Sequence, residues 1–169
     1  MARRSLTTLF MTAALAALTA TAPAFAQSKT LSDESRVVLA SDPQSLVNFL
    51  ESQGFPSRLT EDAVGDPLIE FRSHGDKQSL FFYDCTDNTD CQAVQFYAGY
   101  RTEGDVTLET LNSWKGERRF VRAYLTDEDV ARIEMDVATS DDGISYRDFD
   151  ALLDLWLDSV VLFEDHIGW

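Results

Sequence analysis

Near the C-terminal end of the chain, apolar residues recur at helical spacing. Phe149, Leu152, Leu153, Trp156, Val160, Phe163 and Ile167 make a stripe of period 3.6, the signature of a helix that buries one side. Ser145 and Asp148 stand in capping-box spacing just ahead of it and predict where it starts. The stretch SDPQSLVNFLESQG predicts an earlier helix, with Asp42 as N-cap, Pro43 in its first turn and Gly54 just past its end. A short third helix is predicted in DVTLETLNSWKG, opened at Asp105 or Thr107 and closed by Gly116. Between these segments the apolar period changes to two. FPSRLTEDAVGDPLIEFRSHGDKQSLFFYDC has glycine turns near 65 and 75 that divide three strand-like runs. CQAVQFYAGYR is the next strand, and RRFVRAYLTDEDVARIEMDVAT reads as two strands joined by an acidic turn. The order helix, antiparallel strands, helix, two strands, helix predicts an α+β fold, an antiparallel β-sheet with three helices packed mainly on one face. No internal repeat, low-complexity tract or interdomain linker interrupts it.

The chain's only cysteines, Cys85 and Cys91, sit between two aromatic strands and set a register. If they face each other, Asp84 faces Gln92, Phe82 faces Val94 and Leu80 faces Phe96. Leu80, Phe82, Val94, Phe96 and Ala98 then share one face, as a packed hairpin requires. The loop TDNTD is polar and turn-prone. A redox couple is usually spaced C-x-x-C rather than C-x5-C. A structural zinc site needs four ligands, and only His74 and His166 join the cysteines. Asp84, Asp87 and Asp90 lack the glycine and closing glutamate of an EF-hand, and DDGIS at 141–145 places Ala138 and Phe149 at ligand positions. The expectation is a structural disulfide.

The same register assigns Phe81, Tyr83, Ala93, Gln95 and Tyr97 to the opposite face of the sheet. The late hairpin adds Phe120 and Tyr124, among Arg118, Arg122, Glu134 and Asp136. Phe81, Tyr83, Tyr97, Phe120 and Tyr124 are therefore the candidate interface: a partly screened amphipathic face, or an aromatic surface for self-association or client binding. Glu134 and Asp136 are placed to neutralise the arginines.

The N-terminus changes where all this is expected to happen. Arg3 and Arg4, an uncharged run from Leu6 to about Ala20, and Ala24-Phe25-Ala26 have the layout of a secretory signal peptide cut after Ala26. The division expected is 1–26 signal peptide, 27–40 a tail or short edge strand ending in RVVLA, and 41–169 a single domain. The product is expected in the periplasm or outside the cell, with Sec export favoured over the twin-arginine route because LTT continues the arginines poorly. Disulfides persist in that setting. The whole chain carries a formal charge of −15; losing Arg3 and Arg4 leaves 12 Lys+Arg against 29 Asp+Glu, or −17. That sign repels nucleic acid and anionic membrane surfaces.

Motifs that carry chemistry are missing: no G-x-S-x-G, H-E-x-x-H, phosphate-binding glycine loop or dinucleotide fingerprint. His74 and His166 read as surface histidines, with no serine or free thiol placed for a triad. No catalytic residue, metal ligand or cofactor is expected.

Several segments together resemble the YbjN family of bacterial proteins: ASDPQSLVNFLESQGFPSRLTEDAVGDPLIEF, LFFYDCTDNTDCQAVQFYAGY, LNSWKGERRFVRAYLTDED and GISYRDFDALLDLWLDSVVLF. They cover about residues 40 to 165, and Asn112 and Trp114 fall in the shared motif; Lys115 stands where the family often has a second asparagine. The resemblance implies a fold similar to class I type III secretion chaperones, small dimers that bind unfolded client segments. Family members are described as sensory-transduction regulators. The expected function is a non-enzymatic periplasmic binding, chaperone-like or regulatory module, homodimeric, with no nucleic-acid partner and no membrane insertion after the signal is removed. The alternatives are a periplasmic hydrolase using carboxylates, with or without calcium, and an envelope sensor relaying to a membrane partner.

Overall fold

The structure, a computed structural model, describes residues 36–169. The leader and its cleavage motif at Ala24 and Ala26 lie outside the described residues. The elements in chain order are β1 (Val37–Val38), α1 (Pro43–Ser52), β2 (Ser57–Glu61), β3 (Pro67–Ser73), β4 (Asp76–Tyr83), β5 (Ala93–Arg101), α2 (Leu108–Glu117), β6 (Arg122–Leu125), β7 (Val130–Ala138), β8 (Ile144–Ser145) and α3 (Tyr146–Ile167). Six strands form one antiparallel sheet in the order β2-β3-β4-β5-β7-β6, and β1 pairs with β8 in a second, two-stranded sheet. The class is α+β, as the alternation of apolar periods predicts.

Strands β4 and β5 pair in the register that facing cysteines require: Leu80 opposes Phe96 and Phe82 opposes Val94. Cys85 and Cys91 are joined by a disulfide at the open end of this hairpin. Ile69, Phe71, Leu80, Phe82, Val94, Phe96, Ala98, Ile133 and Met135 are buried on one face of the sheet. The long helix α3 packs there, and Phe96 stacks on both Phe149 (5.7 Å) and Trp156 (5.5 Å). Phe49 of α1 meets Phe149 edge-on at 5.0 Å, which ties the first and last helices through one aromatic cluster. Burying each such ring stabilises the fold by about 1.5–3 kcal/mol. Within this apolar layer Trp156 donates its indole N–H to Gln78 Oε1 at 2.6 Å.

Local chemistry sets the helix ends. Ser145 Oγ accepts the N–H of Asp148 (3.1 Å) and donates to its carboxylate (2.8 Å), closing the start of α3 reciprocally. Thr107 caps α2 through Thr110 N. At α1 the expected N-cap, Asp42, makes no side-chain bond. Ser45 does that work instead, accepting from Leu39 N (2.9 Å) and donating to Asp42 O (2.6 Å). The RVVLA segment docks as β1: Tyr146 N donates to Arg36 O, and Ala40 N to Thr139 Oγ1. Among the described residues no helix is long and apolar enough to cross a membrane.

Candidate functional site

Helices cover one face of the six-stranded sheet, and the other carries an ordered lattice of rings and charges. Strand alternation puts Phe81, Tyr83, Gln95, Tyr97, Arg122, Tyr124, Arg132, Glu134 and Asp136 on that side. Phe81 and Tyr97 lie edge to face at 5.3 Å. Arg132 stands over two rings, 5.6 Å from the centroid of Tyr97 and 5.9 Å from that of Tyr124. Gly99 is the cross-strand neighbour of Arg132. A Cβ at position 99 would come within 2.5 Å of the Tyr97 hydroxyl, so the bare backbone there is what lets the Tyr97 ring lie along the strand.

The polar groups interlock. Glu134 is buried although it belongs to this face; its carboxylate accepts from Arg122 Nε (2.8 Å) and from the Tyr124 hydroxyl (2.7 Å). Arg122 also pairs with Asp136, which accepts from Gln95 Nε2 at 2.7 Å. Burial pushes the Asp136 carboxyl up, but the bonds from Gln95 and Arg122 outweigh it and hold the group below the usual aspartate range. Tyr83 and Tyr124 are pushed up, first by burial and then by the neighbouring carboxylates. Towards the β2 edge, Glu70 pairs with Lys77 and Arg58, and those bonds hold its carboxyl low. The neutralisation of Arg122 by Glu134 and Asp136 matches the sequence expectation.

Four of the five candidate interface residues come together here: Phe81, Tyr83, Tyr97 and Tyr124. Phe120 does not join the ladder. Strand β6 starts at Arg122, and Phe120 sits in the preceding turn with φ +68° and 74% of its surface exposed. Arg118, expected on this face, lies over the Trp114 ring at 5.1 Å instead. Asn112 and Trp114 are on α2, away from the open face; Asn112 is exposed, while Trp114 is buried against Phe163 (5.2 Å) and His166 (5.4 Å). His166 is therefore no free surface histidine. Its Nε2 donates to Thr110 O at 2.8 Å and holds the end of α3 on α2. His74 is exposed in the β3–β4 turn with φ +53°.

The lattice members that sequence reasoning missed are Arg132 and Gly99. Their signal was present, since both fall on the open-face parity of their strands, but only the β5–β7 register brings them opposite each other. Among the described residues no group of three or more His, Cys, Asp or Glu side chains could hold a metal ion. The chemistry available on this face is recognition: flat rings, a ring-held guanidinium, and carboxylates already paired.

Comparison with known proteins agrees with the fold and the segments quoted above. Curated proteins gave no match. The family model YbjN, described as "Putative bacterial sensory transduction regulator", matches residues 42–169, which take in every helix and all of the strands but β1. The chain belongs to the YbjN family.

Proposed function

We propose that this chain is a non-enzymatic regulatory module of the bacterial envelope that acts by holding a protein partner against its open sheet face. The observation that carries this reading is the state of that face. Phe81, Tyr97 and Tyr124 are half-buried and Tyr83 is 46% exposed, yet each is fixed by a ring contact or hydrogen bond rather than left free. Rings held in advance lose little entropy when a partner covers them, which favours binding. The Cys85–Cys91 bond supports an oxidising compartment, and a regulatory role is consistent with the family's description.

A photo-crosslinking residue in place of Tyr97, with another in place of Leu162 on the exposed side of α3, tests the reading in cells. The expected result is a discrete crosslinked partner from position 97 and none from 162, lost when Tyr124→Asp is added while circular dichroism stays native. Equal crosslinking from both positions, or none from 97, overturns it.

A further inference from the structure

The two ends of the six-stranded sheet differ. At one end, the Ala123 side chain of β6 is fully buried and α2 packs against the strand. At the other, β2 has no strand on its outer side among the described residues.

The turn into β3 shows which of its backbone groups face outward. Asp62 N donates to Asp66 O, so 62 and 66 form a hydrogen-bonded pair. In an antiparallel ladder such pairs alternate, which turns Thr60 and Arg58 towards Leu68 and Glu70 of β3. Ser57, Leu59 and Glu61 then aim their N–H and C=O groups away from the sheet, and none of these six groups has a backbone partner among the described residues. Leu59 is also 43% exposed. Open grooves of about 430 and 400 Å³ border the strand, one lined by Ser57 and Arg58 and the other by Leu59, Thr60 and Glu61. An unprotected edge of this kind is a template for strand addition.

We propose that the outer edge of β2 pairs with β2 of a second copy, antiparallel, about a two-fold axis through Leu59. That register joins Leu59 to Leu59, and Ser57 to Glu61 in both directions. All three outward-facing residues of each strand then form hydrogen-bonded pairs, whereas a shift of two residues leaves one of them unpaired on each copy. The exposed leucines cover each other on the helix side. On the open side Arg58 faces Thr60 of the second copy and lies diagonally beside its Asp62, an opposite charge. The two six-stranded sheets become continuous, and their open faces join into one surface. The pairing uses none of the open-face rings, so it stands or falls separately from partner binding by that face. An interface built on five residues per copy is small, so the dimer forms and dissociates with concentration.

Sedimentation of the oxidised, mature protein over a concentration series, with Leu59→Pro and Leu59→Cys variants, tests this. Proline at 59 removes only an outward N–H, leaving the β2–β3 ladder intact. With one N–H lost from each copy, the dissociation constant is expected to rise roughly thirtyfold. Cysteine at 59 sits on the axis with its counterpart about 5.5 Å away, within disulfide reach. Leu59→Cys should therefore crosslink into a dimer, and Arg58→Cys, whose counterpart is Thr60, should not. A monomer at every concentration, an unchanged dimer in Leu59→Pro, or equal or absent crosslinking at 58 and 59 would overturn the proposal. The cysteine pair decides the matter if the proline variant fails to fold.

Discussion

Replacing Cys85 and Cys91 together by alanine should destabilise the chain by roughly 3–4 kcal/mol without changing its fold. The disulfide closes a ring of seven residues, for which the chain-entropy estimate gives about 2 kcal/mol. Cys91 is buried at 1% exposure, so trimming it to alanine adds a packing loss of about 0.5–1 kcal/mol. The ring also holds Asn88, which donates to Val64 O (3.2 Å) and Asp66 Oδ1 (2.8 Å) and so ties the cysteine loop to the β2–β3 turn. A freed loop forfeits roughly another 0.5–1 kcal/mol there. For a domain of this size, each kcal/mol moves the melting temperature by roughly 3–5 °C, so the midpoint should fall by about 10–15 °C. The sheet itself should survive, because β5 is paired along its length with both β4 and β7. Urea denaturation and thermal circular dichroism of the double variant, beside wild type with and without reductant, measure this. A loss under about 0.5 kcal/mol would show that the unfolded chain already keeps the loop closed. Failure to fold at all would refute the view that the bond staples a sheet that forms without it.

Three further outcomes follow from the same geometry. Gly99→Val should leave the chain folded but swing the Tyr97 ring away, because a Cβ there meets its hydroxyl at 2.5 Å; loss of the Phe81–Tyr97 NMR contact would report it, and an unchanged contact would count against the placement of the ring. Trp156→Phe should cost about 1–3 kcal/mol, since Gln78 Oε1 is left buried without its donor; combining it with Gln78→Met should recover part of the loss, measured by a denaturation double-mutant cycle. The carboxyls of Asp136 and Glu70 are held below their ordinary values in the folded chain. Their contribution is therefore fully present above the unfolded aspartate and glutamate pKa values and is lost as pH falls through the folded ones. Denaturation midpoints should drop below about pH 4, and less steeply in the Asp136→Asn, Glu70→Gln variant; parallel profiles would contradict the assigned shifts.

Much of the fold could be read from residue order because local and tertiary signals agree. The cysteine pair, the turn-prone loop and the alternation of Leu80, Phe82, Val94 and Phe96 all demand one register, and β4 and β5 adopt it. The capping pair Ser145 and Asp148 acts over three residues and was equally plain. What was hidden depends on contacts across long separations. Nothing near Arg122 announces that the strand starts there and leaves Phe120 in a turn. His166 looks like a tail residue until α3 folds back onto Thr110 of α2. Trp114 stands out as a motif residue, and its burial against Phe163 gives it a packing role. The open face was legible as a set of aromatic positions, but not as a lattice, because Gly99 and Arg132 meet only through the β5–β7 pairing. Nor does any local pattern say which of six strands is left at an edge.

The small sheet of β1 and β8 also decides how the molecule bears tension. Val37 and Val38 are clasped by Ser145 and Ile144 directly at the start of α3, and Tyr146 N bonds Arg36 O. A pull on the polypeptide ahead of residue 36 therefore meets the clasp before it reaches the six-stranded sheet. That clasp is short and can open rung by rung, whereas the ladders behind it are long and share their load across neighbours. Under force the first event should be release of residues 36–40 and exposure of Val38 and Ala40, with the aromatic surface still assembled. A tethered copy would thus lengthen by a few residues under strain and keep its grip on whatever it holds.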